Sequence, residues 1–399
     1  MRNNTNSQSI LTINGGSSSI KFALYKQGNE LHQLFSGAIE NIGTGEPQFK
    51  FHPSAANLSQ SQYIKVVGHA DAANYLIDFL ENEEGFKSVI AIGYRVVHGM
   101  DHTLPTEIND ELIEELKQIS PYTPEHLPSE ITLIEVFRKR FPHAIQIACF
   151  DTSFHSSMPL LAKLLPIPRR YYGQGIQRYG FHGLSYAWIM DELKRLEDGA
   201  ADHGKIIIAH LGNGASMVAI KDGKSIDTSM GFTPTAGLMM GTRTGDLDPG
   251  LVLYLMETES LTLNQFSQLV NHQSGLLGVS EISADMRELI RRQHTDSQAA
   301  EAIELFCYQS KKWIGSFAAV LDGLDTLIFT GGIGENSPEV RERVCHGLTF
   351  LGIELNEKRN RENEAVISSE NSLISVRVIK TNEELMIAVL VNKILNERE

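Results

Sequence analysis

The chain has 399 residues, 42% of them hydrophobic and 21% charged, a composition of ordinary globular type and long enough for two cores. A formal charge of -14 argues against a nucleic-acid partner, because phosphate backbones need clustered Lys and Arg, so cations that meet a substrate anion must be placed locally. The polar stretch Met1 to Ser9 lacks an apolar signal core and no segment approaches the roughly 18 apolar residues of a membrane span, so a cytoplasmic protein with no membrane partner is expected.

In chain order, Ile10 to Tyr25 predicts strand, turn and strand around Asn14-Gly15-Gly16-Ser17-Ser18-Ser19. Leu31 to Ile39 and Pro47 to Phe51 are further short strands, with Gly43-Thr44-Gly45 as a turn. His69 to Glu84 has helical spacing and stops at Gly85. Ser88 to Val97 is a buried-type strand that delivers Arg95 and His98 to its C-terminal end, where open α/β sheets bind ligands. A helix over Asp110 to Ile119 is stopped by Pro121, Tyr122 to Pro128 is a rigid loop, and Ser129 is placed to cap a helix running to Phe141. The strand Ala144 to Phe150 ends at Asp151, and Cys149 within it is expected to be a buried small hydrophobe. The three cysteines, Cys149, Cys307 and Cys345, have no paired spacing, which supports neither a disulfide framework nor a zinc cluster. No His-Glu-x-x-His occurs among the histidines.

The organisation then begins again. Pro166 to Gly183 gathers Arg169, Arg170, Arg178 and His182 in what is expected to be a functional loop, followed by a helix from Leu184 to Leu196. Lys205 to Gly231 is a second strand, turn, strand unit around Gly212-Asn213-Gly214, with the layout of Ile10 to Tyr25. Such a turn is either an ordinary hairpin or a nest of bare N–H groups that binds an anion, its glycines permitting positive φ. The echo between the two favours a duplicated fold with a nucleotide between the halves. Asp227 to Pro249, with Arg243 in its middle, is a long glycine-rich loop of the kind that is usually functional. Helices are predicted at Pro249 to Met256, Thr262 to Asn271, Ser283 to Arg292 and Ser297 to Leu321. A strand over Asp325 to Thr330 ends in Gly331 to Asn336, Ser337 and Pro338 open a helix, and Leu373 to Ile379 is the last strand before Thr381-Asn382-Glu383-Glu384 enters the final helix. The pattern resembles the duplicated, ribonuclease H-like α/β domains of the actin, sugar kinase and Hsp70 superfamily, each with a mixed five-stranded sheet flanked by helices. The expected domains are residues 1–151 with 381–399, and 152–380.

No Gly-x-x-x-x-Gly-Lys-Ser/Thr occurs, so a P-loop is excluded, and no protein-kinase signature is present. Phosphates would then be held by hairpin N–H groups, with Asn14 and Lys21 nearby, although a lysine on an alternating strand is more often simply exposed. Arg95 and Arg243 are natural clamps for a carboxylate or phosphoryl group, since a guanidinium makes two parallel bonds and stays charged. Asp151 is either an orienting carboxylate or a turn cap. His182, in Arg178-Tyr179-Gly180-Phe181-His182-Gly183, is flanked by glycines that permit close approach to a ligand.

Ile13 to Ser19, Arg95 to Gly99, Cys149 to Thr152, Arg178 to Gly183, His210 to Ser216, Asp227 to Pro234, Gly241 to Arg243 and Phe329 to Asn336 together resemble the acetokinase family over nearly the whole chain. The resemblance implies reversible phosphoryl transfer between ATP and acetate, giving ADP and acetyl phosphate, with Mg2+ or with Mn2+ in its place, in a homodimer. It implies that Asn14 and Glu383 support the metal, that Arg95 holds the carboxyl group, that Asp151 is the catalytic aspartate, and that His182 and Arg243 stabilise the transition state. Lys21 and His210, Leu211, Gly212, Asn213 and Gly214 would hold phosphates. Asp285, Met286 and Arg287 would lie by the adenosine, with Gly332, Ile333, Gly334, Glu335 and Asn336 also on the nucleotide. Val97, Phe181 and Pro234 would line an apolar acyl pocket, with His126 beside the substrate.

The chain departs from the family pattern in places. Pro124-Glu125-His126-Leu127-Pro128 stands where Pro-Leu-His-Asn-Pro is usual, Gly183-Leu184-Ser185-Tyr186 where Gly-Thr-Ser-His is usual, and Pro234-Thr235-Ala236-Gly237 where Pro-Leu-Glu-Gly is usual. A buried unpaired carboxylate is unfavourable by several kcal/mol, so Glu125 is expected to turn outward. These departures bear on acyl preference: a propionate or butyrate kinase is the alternative, and Val97 favours the smaller acyl group. An ATP-driven binding module of the actin or Hsp70 type is a second alternative, disfavoured because no partner-binding extension follows the last helix.

Overall fold

The computed structural model describes residues 8–28, 30–43, 45–54 and 59–398. Thr44, in the turn expected at Gly43 to Gly45, most of the polar N-terminal stretch and Glu399 lie outside the described residues. The chain divides into two compact units, Met1–Ser153 with Asn382–Glu399, and Phe154–Thr381.

The first unit is built on strands β1 (Ser9–Gly15), β2 (Ile20–Lys26), β3 (His32–Glu40), β4 (Gln48–Pro53), β5 (Gln60–Tyr63), β6 (Val89–Val96), β7 (Thr106–Glu107) and β8 (Ile145–Phe150), in the order β5-β4-β3-β2-β1-β6-β8-β7. The second is built on β9 (Lys205–Leu211), β10 (Ala215–Lys221), β11 (Lys224–Thr228), β12 (Thr326–Thr330) and β13 (Ser375–Val378), in the order β11-β10-β9-β12-β13. In both units a three-stranded antiparallel meander continues into two parallel strands: β1 runs parallel to β6 and β6 to β8, as β9 does to β12 and β12 to β13. The expected five-stranded pattern is therefore repeated, and the first sheet differs by extension to eight. β4 and β5 prolong the meander at one edge, and the two-residue β7 folds antiparallel onto β8 at the other. β5 carries Gln60-Ser61-Gln62-Tyr63, exposed throughout, so its sequence lacks the alternation that marks a half-buried strand.

Both central strands, β1 and β9, are almost wholly buried, and β9 accordingly contains the continuous apolar run Ile206 to Ala209. Around the first sheet lie helices α1 (His69–Leu80), α2 (Asp110–Ile119) and α3 (Leu127–Arg140), together with the C-terminal helix Glu383–Asn396. That last helix packs against β1 and β6, and Gly93 is needed there because a Cβ would stand 2.5 Å from Ile387. The expected helix from His69 stops earlier than Gly85, where the Asn82 side chain donates to the Asp78 carbonyl and draws the chain into a turn. The cap at Ser129 is also corrected. α3 begins at Leu127 with Pro128 in its first turn, and the Ser129 hydroxyl donates to the His126 carbonyl from inside the helix.

The second unit contributes α4 (Gly183–Arg195), α5 (Pro249–Thr258), α6 (Leu263–His272), α7 (Met286–Arg292), α8 (Ser297–Val320), α9 (Gly331–Asn336) and α10 (Pro338–Cys345). One face of its sheet is covered by Tyr186, Ile189 and Leu193 of α4 against Ile206, Ile208, Val218 and Ile220. The segment Gly331 to Asn336 closes into a helical turn, and Ser337 then caps α10 by accepting from the Val340 N–H. Asn382 caps the C-terminal helix in the same way, accepting from Leu385. Among the described residues no helix is long and apolar enough to cross a membrane. All three cysteines are buried and free, Cys149 in the first unit and Cys307 and Cys345 in the second.

Candidate active site

In the first unit the site grows from the C-terminal ends of β1, β6 and β8. Arg95 is the penultimate residue of β6 and Asp151 follows β8, so parallel pairing carries both to one end of the sheet. The fully buried Asp151 accepts from Arg95 Nε at 2.9 Å and from Nη2 at 2.5 Å, while Nη1 reaches the Gly15 carbonyl at 3.3 Å. Burial alone would discourage charge on the guanidinium, but Asp151, Glu383 and Glu130 overcome it and hold Arg95 protonated. Asn14, at the end of β1, pairs with the exposed Lys21 across the hairpin. Its Nδ2 donates to Glu383 at 2.9 Å and to Glu384 at 3.1 Å, which the capped start of the C-terminal helix presents. Two carboxylates and an amide oxygen are hard donors of the kind Mg2+ accepts in small number. Among the described residues no group of three or more His, Cys, Asp or Glu forms a separate metal cage.

Sequence reasoning missed Glu130. It lies on α3 and is 2% exposed; Oε2 accepts the Val97 N–H at 2.9 Å, whereas Oε1 has no hydrogen-bond partner and stands 4.0 Å from Arg95 Nη1. That distance has the look of an ion pair, yet it is too long for a hydrogen bond and Asp151 already occupies two guanidinium nitrogens. Desolvation therefore dominates and pushes the Glu130 carboxyl up to about 8. A signal was present: Leu127, Glu130, Ile131 and Ile134 have the spacing of one buried helical stripe, and all four are buried. Glu125, the residue singled out in the sequence, is half-buried and engaged. His126 is buried at the start of α3, and Val97 is buried beside Glu130.

In the second unit the Gly212 to Gly214 turn joins β9 to β10 and is closed by the Gly212 N–H donating to the Gly214 carbonyl at 3.0 Å. Neither glycine adopts positive φ, contrary to expectation. Their value is close approach: a Cβ on Gly214 would stand 3.3 Å from His182 Nε2, and one on Gly212 would stand 3.2 Å from the Gly214 carbonyl oxygen. His182 itself is left-handed, φ 59°, at the entry to α4, and its ring stacks on His210 with centroids 4.3 Å apart. Ser216 Oγ lies 2.8 Å from His182 Nδ1, and Ser185 Oγ lies 2.8 Å from His210 Nδ1.

Gly241 brings the Arg243 loop onto this turn: its N–H donates to the Asn213 carbonyl, and a Cβ there would overlap Asn213 Oδ1 at 2.1 Å. Arg243 Nη1 donates to the Pro234 carbonyl at 2.8 Å. Phe181 and Pro234 are buried in this unit, whereas Val97 belongs to the other. The expected grouping of Arg169, Arg170 and Arg178 with His182 is not found. Arg169 and Arg170 lie over the rings of Tyr172 and Tyr171, while Arg178 is tied to Asp227 at 2.8 Å and to the Ala162 and Thr228 carbonyls.

Beside the turn is a cavity of about 910 Å³, large enough for a nucleotide. Its lining includes Gly212, Asn213, Asp285, Met286, Arg287, Gly332, Ile333 and Asn336. Asp285 pairs with the Arg287 side chain at 2.6 Å, which draws the carboxyl below its ordinary value, and it also accepts the Arg287 backbone N–H at 2.8 Å. Leu211 and Gly334 are buried outside the cavity lining. Glu335 turns to the protein instead, Oε1 accepting the N–H groups of Gly331 at 2.9 Å and Thr381 at 3.0 Å.

The family model described as the acetokinase family matches residues 9–389. The chain is 42% identical over 396 residues to an acetate kinase of Methylocella silvestris, with 96% of each chain covered. It is 41% identical over 393 residues to a propionate kinase of Salmonella typhimurium, covering 96% of this chain and 95% of that one. The crystal structure of a propionate kinase from Francisella tularensis superposes with a TM-score of 0.89 at 37% identity, over 96% of this chain and 98% of the other.

Proposed function

Because the chain belongs to the acetokinase family and is a kinase, we propose that it transfers the γ-phosphoryl group of ATP reversibly to acetate, with Arg95, Asp151, His182 and Arg243 acting on the transferred group. The observation that carries this reading is the second unit's clustering of His182, His210 and the Arg243 loop on one glycine turn that also lines the large cavity. The cavity takes the nucleotide, with Asp285 to Arg287 beside the adenosine, and the turn's N–H groups take its phosphates.

One oxygen of the acceptor carboxylate attacks the γ-phosphorus, the bond from phosphorus to the bridging oxygen breaks, and ADP leaves. The nucleophile is already ionised, so no general base is required. Asp151 accordingly orients Arg95 through two hydrogen bonds. The loose transition state of phosphoryl transfer asks for positioning and charge neutralisation, which two arginines and a histidine supply. Asn14 and Glu383 would hold Mg2+, which when bound neutralises phosphate charge.

Val97 supports acetate over longer acids, while the likeness to propionate kinases makes propionate the second reading. A hydroxamate assay across acetate, propionate and butyrate, with and without Mg2+, tests both. Turnover on butyrate above that on acetate would overturn the acetate assignment. A homodimer is proposed from α5 and α6, on which no residue is buried and which leave Leu253, Tyr254 and Leu263 more than 60% exposed. Leu253→Glu is expected to give monomers by light scattering. A cytoplasmic location suits three free cysteines.

A further inference from the structure

Tyr186 occupies one of the positions where this chain departs from the family pattern. It lies on α4, one turn beyond His182, and is fully buried. Its hydroxyl hydrogen-bonds Ser216 Oγ, and the same oxygen is 2.8 Å from His182 Nδ1. Ser216, fully buried on β10, has one proton and two partners, so it donates to one of them only. A phenol, with a pKa of about 10, is a stronger donor than an aliphatic hydroxyl, and a neutral imidazole nitrogen is a stronger acceptor than a phenol oxygen. The favoured polarity is Tyr186 donating to Ser216 and Ser216 donating to Nδ1 of His182. A neutral ring that accepts at Nδ1 carries its proton on Nε2. Nε2 is the atom beside Gly214, on the side of the phosphate-type turn.

We propose that Tyr186 is a positioning residue which, through Ser216, holds neutral His182 with its proton on Nε2, ready to donate to an oxygen of the transferred phosphoryl group. This rests on the role given above to His182. The adjacent ring is arranged in parallel: Ser185 meets Nδ1 of His210 and is itself 2.8 Å from the Thr381 hydroxyl. Both stacked imidazoles are thus held at Nδ1 by a buried serine that a second hydroxyl meets.

Tyr186→Phe keeps the ring in the core and deletes the first donor. The expected result is a kcat lowered about threefold to tenfold, the range for one neutral hydrogen bond, with KM for acetate and for ATP unchanged. Because Tyr186 acts through Ser216, the same substitution made on top of Ser216→Ala should lower kcat no further. Histidine 15N chemical shifts, with His182 assigned by its own substitution, should show a shift of that ring from Nε2–H toward Nδ1–H in Tyr186→Phe. An unchanged tautomer, or an equal loss of kcat in the Ser216→Ala background, overturns the proposal. His182→Ala with near-normal turnover would instead overturn the role of His182, and the tautomer measurement, which does not depend on activity, separates the two failures.

Discussion

The buried Glu130 makes unit 1 less stable as pH rises through neutrality. Its carboxyl moves from the ordinary 4.5 to about 8 on folding, so between those limits the folded protein holds a proton that the unfolded chain has lost. Stability from this group is fully present below pH 4.5, declines by about 1.4 kcal/mol per pH unit, and levels off above about pH 8. The full difference is on the order of 4 to 5 kcal/mol, with roughly 3 kcal/mol already lost at pH 7. Glu130→Gln keeps the acceptor for the Val97 N–H and removes the titration. Urea unfolding followed by circular dichroism at pH 5 to 9, with the transition of unit 1 identified by hydrogen exchange of its strands, gives the comparison. The variant should gain on the wild type steadily from pH 5 to pH 8. In the same unit the buried His98, lowered to about 4 by desolvation, imposes an opposite slope between pH 6.5 and 4, but it is common to both proteins and cancels. A difference that stays constant across the range would mean that Glu130 is ionised in the folded state throughout, and would refute the argument.

Arg243→Ala should leave the circular dichroism spectrum intact and lower turnover by on the order of 10² to 10³, the usual effect of removing one donor from a transition-state site; near-normal rates in the hydroxamate assay would count against its role. Gly241→Ala sets a methyl group 2.1 Å from Asn213 Oδ1, so the Asn213 side chain, part of the cavity lining, must move, and calorimetry should record weaker ATP binding with little change in acetate KM. Arg341 is fully buried and bonds Asn360, Asn363 and the carbonyls of Gly334 and Glu335, which ties α10 to the end of α9. Arg341→Ala leaves these acceptors without a donor and should destabilise unit 2 by about 3 to 5 kcal/mol in urea titrations.

Much of this was legible because strand ends are. An apolar run followed by Arg95, and another followed by Asp151, required only that the strands be parallel neighbours for the two side chains to meet. Caps were equally plain: Ser337 with Pro338, and Asn382 before Glu383, have local chemistry that decides where a helix begins. What sequence reasoning lost came from one misplaced boundary. In the first turn of a helix an acidic residue needs no explanation, and Glu130 is in the first turn from either start, so attention went to Glu125. Starting α3 at Leu127 adds the apolar residue that completes the stripe Leu127, Ile131 and Ile134 on Glu130's own face. The glycine turn shows a second limit: composition announces that a backbone is special, but whether it needs unusual torsions or merely a missing Cβ depends on neighbours such as His182, far away in sequence. Edge strands such as β5 take their form from the pairing partner rather than from their own residues.

The three cysteines offer a means of watching the molecule breathe. Burial pushes the thiols of Cys307 and Cys345 up to about 12 and that of Cys149 higher still, so in the closed fold almost no thiolate exists to react. An alkylating reagent should accordingly leave the native enzyme active, and each modification records a transient opening. Cys149 lies on β8 of the first sheet, the other two on α8 and α10 of the second unit. Mass spectrometry of the labelled peptides would therefore time the opening of each unit separately, in one tube and with no engineered probe.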